Sequence, residues 1–367
     1  MDKQFNIIIS GGGTGGHLIP AFAIADAFID SKYNVKVGFV GSEKGIESKL
    51  YQQRSEKHYL LKIVGLNRDL NLKSIVHNLL VFPFRFFHSI IKTYKIFKEF
   101  KPDMVVGTGG YSSAIPLFVA SMKGVKIAIQ EQNSIPGLVN RLFLKKAEKV
   151  FFGVEPKSFK DVNYVVSGNP TRLSVCDLDE KVEINENNFT IFVVGGSQGS
   201  VPINNHFLNH YKEYLDRWKN VRLIWQCGEN NVAFIKNQIH SKYIELHGFI
   251  NNIEQYYLKS DLIIARSGAL TLSEISNYKK ASILIPFPFA ANNHQLLNAQ
   301  FYKKQGACEI VEQKQLEDGL LEKQVDKLIK NKNIIKSMEK KVFSISKPNA
   351  AQDVVDEILK ICLIKVK

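Results

Sequence analysis

Twice along this chain a run of apolar β-forming residues breaks into a cluster of glycines and then into a helical stretch. The first copy is FNIIISGGGTGGH (5–17) and the second is FTIFVVGGSQGS (189–200). Glycines admit positive φ and let a ligand come close to the main chain. The helix behind such a turn presents unpaired N–H groups and a partial positive charge. A chain that builds this device twice is predicted to hold two α/β domains of like design.

The rest of the sequence follows that plan. VKVGFVG (35–41), DMVVGTGG (103–110), KIAIQEQN (126–133) and KVFFGV (149–154) read as further strands of the first half. VRLIWQCG, YIELHGF, DLIIARSG and ASILIPFP supply strands of the second. Helical spacing in IPAFAIADAFIDS (19–31) and VPINNHFLNHY (201–211) alternates with them, which predicts parallel sheets. The polar stretch 177–188 marks the junction. The expected architecture is α/β with two Rossmann-like domains facing across a cleft, residues 1–165 and 166–347. The amphipathic AAQDVVDEILKI (350–361), within a closing segment 348–367, is expected to pack back on the first domain. A length of 367 residues suits two domains.

Composition narrows the partners. A net charge of +14 and a pI near 9.4 favour anionic partners such as nucleic acid, lipid headgroups or phosphorylated substrates. Eight Arg stand against 41 Lys, and base readout favours bidentate Arg, so nucleic acid is not expected. Cys176, Cys227, Cys308 and Cys362 lie far apart, without metal-ligand spacing, and are expected to be reduced thiols of a cytosolic protein. The first residues run straight into a strand without a signal-peptide h-region. No stretch approaches the ~20 apolar residues of a membrane span.

Gly11, Gly13 and Gly16 fit G-x-G-x-x-G, so the first turn could hold a dinucleotide, a phosphate or a sugar. A dinucleotide site wants an acidic residue at the end of the second strand. Here VGSEKG puts Gly41 and Ser42 at the tip and Glu43 late, which gives an oxidoreductase little support. A further glycine turn, GTGGYSS (107–113), brings the total to three. Three such turns suit two diphosphate-bearing substrates better than one nicotinamide cofactor. His17 closes the first turn. It is either a capping or core-edge imidazole, or a base whose charged form the helix N-terminus disfavours.

The motifs GGGTGGH, GTGGYSS, EQN, GNPTR, GGSQGS, RSGALTLSE and HQLLNA occur in an order that resembles the bacterial MurG family. These N-acetylglucosaminyltransferases of peptidoglycan synthesis have the GT-B fold. The resemblance covers nearly the full length. It implies transfer of GlcNAc from UDP-GlcNAc to undecaprenyl-diphosphate-linked MurNAc-pentapeptide (lipid I), giving lipid II. The reaction would be inverting, with no metal or other cofactor. By the same resemblance His17 would be the general base on the acceptor 4-hydroxyl. Thr14, Gly15 and Gly16 would lie against the donor sugar and the acceptor diphosphate, and Asn133 would contact the donor sugar. Arg172 and Ser197 would hold the UDP phosphates, and the backbone of Ile250 would read the uracil edge. Ala269, Leu270, Thr271, Leu272, Ser273 and Glu274 would cover the nucleotide, with Glu274 accepting both ribose hydroxyls. Gln295 would bind sugar hydroxyls. Gly13, Gly109, Gly110, Tyr111 and Ser112 are candidates for the acceptor diphosphate. Two departures stand out: Gln130 where many relatives carry His, and Asn292–Asn293 where Asp is frequent. The DLD of Asp177 and Asp179 imitates a metal-binding DxD but reads as a solvated charged run. Transfer from a UDP-sugar to another lipid, such as diacylglycerol, is the alternative activity.

Residues 70–101 carry two apolar series at helical spacing. One is Ile75, Leu79, Phe82, Phe86 and Ile90; the other is Val76, Leu80, Phe84, Phe87 and Ile91. Arg85, Lys92, Lys95, Lys98 and Lys101 surround the tail, and Pro83 is expected to kink or divide the helix. Apolar side chains ringed by cations suit either a buried helical hairpin or an anionic bilayer surface. The resemblance favours the membrane: a peripheral protein at the cytoplasmic face of the plasma (inner) membrane, with room for other cell-wall enzymes as partners.

Overall fold

The structure is a computed structural model. It describes residues 4–63, 82–156, 159–171 and 188–364. The chain divides into two compact units, residues 1–172 with 349–367, and residues 173–348. Each is described by itself.

Unit 1 runs β1 (Phe5–Gly11), α1 (Gly15–Ile29), β2 (Val35–Ser42), α2 (Glu47–Leu50), β3 (Lys57–Leu61), α3 (Phe82–Phe100), β4 (Met104–Gly109), α4 (Ala114–Lys123), β5 (Lys126–Glu131), α5 (Leu138–Phe143), β6 (Lys149–Phe152) and β7 (Tyr164–Val166). The described strands form one parallel sheet in the order β3-β2-β1-β4-β5-β6-β7. Direction of winding reverses between β1 and β4. Open α/β sheets bind ligands at such a switch point, beyond the carboxyl ends of the strands. The first two glycine turns leave β1 and β4 at that very place.

Unit 2 runs β8 (Phe189–Val194), α6 (Val201–Arg217), β9 (Val221–Gln226), α7 (Glu229–Lys236), β10 (Ile244–His247), α8 (Ile253–Lys259), β11 (Leu262–Ala265), α9 (Ala269–Asn277), β12 (Ser282–Leu284), α10 (His294–Lys304), β13 (Glu309–Ile310), α11 (Leu320–Lys330) and α12 (Lys332–Ser344). Its parallel sheet has the order β10-β9-β8-β11-β12-β13. The switch point falls between β8 and β11, where GGSQGS and RSGAL emerge.

The strands are near-continuous apolar runs because both faces of each sheet are covered by helices. Ile7 and Ile9 of β1 face one side, with α1, and Ile8 faces the other, towards α4. Helix α1 is apolar almost all round, since a second helix covers what the sheet leaves open. That second helix is α13 (Ala350–Leu363), which returns from the far end of the chain. Its Val354, Val355, Ile358 and Leu359 are buried in the core of unit 1. Lys126 Nζ caps it, donating to the Ile361 carbonyl at 2.6 Å.

Removing apolar volume from this returning helix will be felt in unit 1. Ile358 is fully buried, so Ile358→Ala is expected to destabilise unit 1 by about 2–5 kcal/mol. Urea unfolding followed by circular dichroism measures it.

Candidate functional site

In unit 1 the switch point brings two glycine turns into backbone contact. Gly12 N donates to the Gly109 carbonyl at 3.4 Å, and Thr108 Oγ1 donates to the His17 carbonyl at 2.7 Å. The His17 ring lies against the second turn. A Cβ on Gly109 would fall 2.7 Å from His17 Cδ2. A Cβ on Gly110 would fall 2.2 Å from the Gly12 carbonyl oxygen and 3.2 Å from His17 Nδ1. Both residues have positive φ, 99° and 80°. GTGGYSS is therefore, first of all, the seat of the imidazole.

His17 Nδ1 is 3.1 Å from Thr14 Oγ1. Desolvation holds the His17 pKa below its ordinary 6.5, against a smaller opposing effect from a hydrogen bond to the Gly12 backbone. The imidazole is thus neutral at pH 7 and able to accept a proton.

The first turn is also held from below. Glu47 of α2 is fully buried. Its Oε2 accepts the Gly13 N–H at 2.8 Å and its Oε1 accepts the Ser42 N–H at 3.0 Å. The Gly13 amide, expected to face a diphosphate, is therefore already taken by a carboxylate, and the Tyr111 ring packs on the same glycine. Ser112 is fully buried, and its carbonyl accepts Ser10 Oγ at 3.3 Å. Gly15 and Gly16 open α1, where N–H groups lack intrahelical partners.

EQN sits on a buried polar platform. Glu131 accepts the Asn133 N–H at 3.0 Å, the Gly137 N–H at 3.0 Å and Asn140 Nδ2 at 2.9 Å. Burial pushes its pKa up and these donors oppose the shift. Asn133 is half-buried above it. Gln130, the departure from the family pattern, donates to Asn169 Oδ1 at 3.1 Å and accepts from Gln132 Nε2 at 2.5 Å. Gln132 Nε2 also reaches the Thr108 carbonyl at 2.8 Å. EQN, GNPTR and the His17 seat thereby share one network. Arg172 lies outside the described residues, as do Ile75, Leu79, Cys176, Asp177 and Asp179.

In unit 2 two backbone turns touch. A Cβ on Gly199 would fall 1.8 Å from the Cys227 carbonyl oxygen, and one on Gly228 would fall 2.1 Å from that of Gln198. Ser197 stands exposed on the first of these turns. Gln226 links the turn to the next strand's loop, donating to the Gly196 carbonyl and accepting the Ile250 N–H, each at 3.1 Å. The Ile250 amide is thus held by a side chain, which leaves its carbonyl as the backbone group for a base. Arg266 is buried and donates to Ser200 Oγ at 2.7 Å, to the Ile285 and Pro286 carbonyls, and to Gln313 Oε1 at 2.6 Å. All are neutral acceptors, and burial lowers its pKa to about 10. This cation, absent from the sequence-based set, stands at the N-cap of α6.

Helix α9 begins at Ala269, so Ala269, Leu270 and Thr271 form its first turn. Leu272 departs from expectation: its side chain is in the core, on the helix face turned to β8 and β11. Ser273 Oγ bonds back to the Ala269 carbonyl at 3.1 Å. Glu274 is half-buried and accepts Tyr257 Oη at 2.9 Å. Gln295 opens α10. Its Oε1 accepts the Phe287 N–H at 3.0 Å, and its backbone carbonyl accepts Ser267 Oγ at 2.8 Å.

Of the two apolar series, the members on α3 divide, and those of one series turn inward. Phe82 and Phe86 are half-buried and stacked on each other, and Phe86 meets Phe118 of α4. Phe84, Phe87 and Ile91 are 75%, 64% and 60% exposed. Pro83 lies in the first described turn of α3. Lys92 donates to the Leu60 carbonyl at 2.6 Å, and Lys123 Nζ lies 3.9 Å above the Tyr94 ring. No helix among the described residues is long and apolar enough to cross a membrane.

Two doubly wound parallel sheets, each with glycine turns at its switch point, define the GT-B class of glycosyltransferase fold. Residues 7–152 match the glycosyltransferase family 28 N-terminal domain and residues 190–357 its C-terminal domain. A Flavobacterium psychrophilum protein is 35% identical over 98% of both chains, and a Finegoldia magna protein is 34% identical over 97% of this chain and 98% of its own. Both bear the name UDP-N-acetylglucosamine--N-acetylmuramyl-(pentapeptide) pyrophosphoryl-undecaprenol N-acetylglucosamine transferase. The crystal structure of Acinetobacter baumannii MurG superposes with a TM-score of 0.74 at 26% identity, covering 97% of this chain and 99% of that one. A calicheamicin glycosyltransferase, CalG4, shares the fold at 12% identity, with a TM-score of 0.68 over 98% of this chain and 99% of its own. The chain belongs to glycosyltransferase family 28 and, within it, to the MurG family.

The imidazole seat is testable by size alone. Gly124 has φ 65° with open space around it, so Gly124→Ala is expected to cost only the left-handed penalty of about 1–2 kcal/mol. Gly110→Ala adds the clash with Gly12 and is expected to cost more. Paired urea titrations read the difference.

Proposed function

We propose that this protein transfers GlcNAc from UDP-GlcNAc to the 4-hydroxyl of lipid I, forming lipid II. The likeness to relatives of that name over nearly the whole chain supports the choice of substrates. The observation that carries the mechanism is the neutral His17 imidazole, held against Gly109 and Gly110 at the switch point of unit 1. In the tautomer whose Nδ1–H donates to Thr14 Oγ1, Nε2 is the nitrogen that accepts a proton. The acceptor oxygen attacks the anomeric carbon as its proton passes to His17. The new C–O bond forms while the bond to the β-phosphate breaks, and UDP leaves from the opposite face. One displacement of this kind inverts the anomeric centre.

Charge grows on the UDP oxygens as they leave. Fixed donors aimed at that charge stabilise it without reorganising. The starts of α6 and α9, with Ser197 and the Arg266 cation beside them, are suited to this. Arg172 is assigned the same task from its motif. Glu274 serves the ribose, Gln295 and Asn133 the sugar, and the Ile250 carbonyl with Gln226 the base. Gly15 and Gly16, rather than Gly13, offer amides to the acceptor diphosphate.

The acceptor is a lipid, and the exposed face of α3 supports peripheral attachment to an anionic membrane at the cytoplasmic side. Phe84, Phe87 and Ile91 would enter the interface, flanked by Arg85, Lys95, Lys98 and Lys123.

His17→Ala is expected to abolish transfer to a lipid I analogue, by at least 100-fold, while UDP-GlcNAc binding by calorimetry stays within twofold. In the unaltered protein kcat/KM should fall only as pH drops through a value below 6.5, because the base form survives until then. Transfer retained in His17→Ala would remove the base from the mechanism. On vesicles containing phosphatidylglycerol, Phe84→Ser with Phe87→Ser should weaken sedimentation by roughly tenfold or more, from about 1.5–3 kcal/mol per apolar side chain. Equal sedimentation would remove the membrane contact.

A further inference from the structure

We infer that Glu47 is a positioning residue for this sugar transfer, an internal carboxylate that fixes the turn on which Thr14 and His17 stand. The inference rests on the transfer reading above. Glu47 has no solvent exposure, and both of its oxygens are committed to backbone N–H groups. Oε2 holds Gly13, at the crest of the first glycine turn, and Oε1 holds Ser42, at the end of β2. It therefore bolts the turn to a core strand.

Three glycines are shaped around it. A Cβ on Gly12 would fall 2.4 Å from the carboxyl carbon, one on Gly45 2.0 Å from Oε2, and one on Gly41 2.7 Å from Cγ. The same segment supplies a second strut, Tyr51 Oη to the Gly11 carbonyl at 3.3 Å. Gly13 sits at φ 80°, one of many conformations open to a glycine in a free loop, and the contact with Glu47 selects it. From Gly13 the chain passes directly to Thr14, which bonds His17, and to Gly15 and Gly16.

The chemistry of the group matters as well as its size. A carboxylate offers an acceptor to each of the two donors. A carboxamide of the same shape offers one acceptor and turns an NH2 group towards the other N–H. Glu47→Gln should therefore loosen the turn at Gly13 or at Ser42 while filling the same space.

The test uses the full chain, UDP-GlcNAc and a lipid I analogue. Glu47→Gln is expected to lower kcat at least tenfold, leave KM for UDP-GlcNAc within twofold, and displace the acid limb of the pH profile. Gly45→Ala, whose Cβ would push the carboxylate aside without changing it, should give the same pattern. Glu43→Gln, a partly exposed neighbour outside the turn, should leave kcat unchanged. Proton NMR of the His17 imidazole gives a readout independent of turnover, and its titration midpoint should move in Glu47→Gln. Wild-type kcat in Glu47→Gln would overturn the inference. So would a kcat loss matched by loss of folded protein with an unmoved His17 titration. If the unaltered protein transfers no sugar, the function reading fails and the NMR titration alone decides the role of Glu47.

Discussion

The contact between the two glycine turns of unit 1 is what everything else is arranged around. The ring of His17 and the backbone of Gly109–Gly110 fill the same small space, and only residues without side chains allow it. The parallel pairing of β1 with β4 brings the turns together, with a register shift at Gly11 just where the chain leaves the sheet. Thr108 then ties the start of α1 to β4. Burial in this seat keeps the imidazole uncharged, so packing and proton affinity have a single cause.

Unit 2 solves a different electrostatic problem with the same topology. Its switch point holds a buried guanidinium whose partners are carbonyls, a hydroxyl and an amide, all neutral. Their dipoles satisfy its donors without cancelling its charge. Unit 1 buries a carboxylate below Gly13, on the segment that follows β2, whereas Arg266 follows β11, the counterpart of β4. The two halves share an ancestor-like plan but carry opposite charges behind their first turns. A proton acceptor stands on one and a site suited to a departing anion on the other.

Much of this was legible in the amino-acid order. The apolar runs ending in glycines marked the strands β1, β4 and β8, because strands covered on both faces read as uninterrupted hydrophobic segments. The final helix was legible in its amphipathic spacing, but that spacing does not say which unit the helix covers; the structure packs it on α1. Strands β3, β7 and β13 were missed: they are short edge strands with partly exposed side chains, and no periodicity sets them apart. Glu47 was missed for another reason. An acidic residue was sought at the tip of β2, but the one that reaches the turn comes five residues later, folded back by α2. Arg266 was quoted within RSGALTLSE without a role, since nothing local shows that its partners lie 19 to 66 residues away. On α3, spacing alone offered two apolar faces; packing against α4 decides which one is outward. The Gly13 and Ile250 amides are each taken by a side chain distant in sequence, Glu47 and Gln226, and no local pattern shows it.

Unit 1 is discontinuous, and that reverses the usual order of assembly. Its sheet is complete by Val166, yet the layer over α1 is supplied by Val354, Val355, Ile358 and Leu359. During vectorial synthesis the ribosome must finish the second unit before the first can close its core. The later-made half, contiguous in sequence, can mature earlier, while the earlier-made half waits with apolar surface uncovered. Until residues 350–363 have been made, the side of α1 that they cover has nothing to pack against.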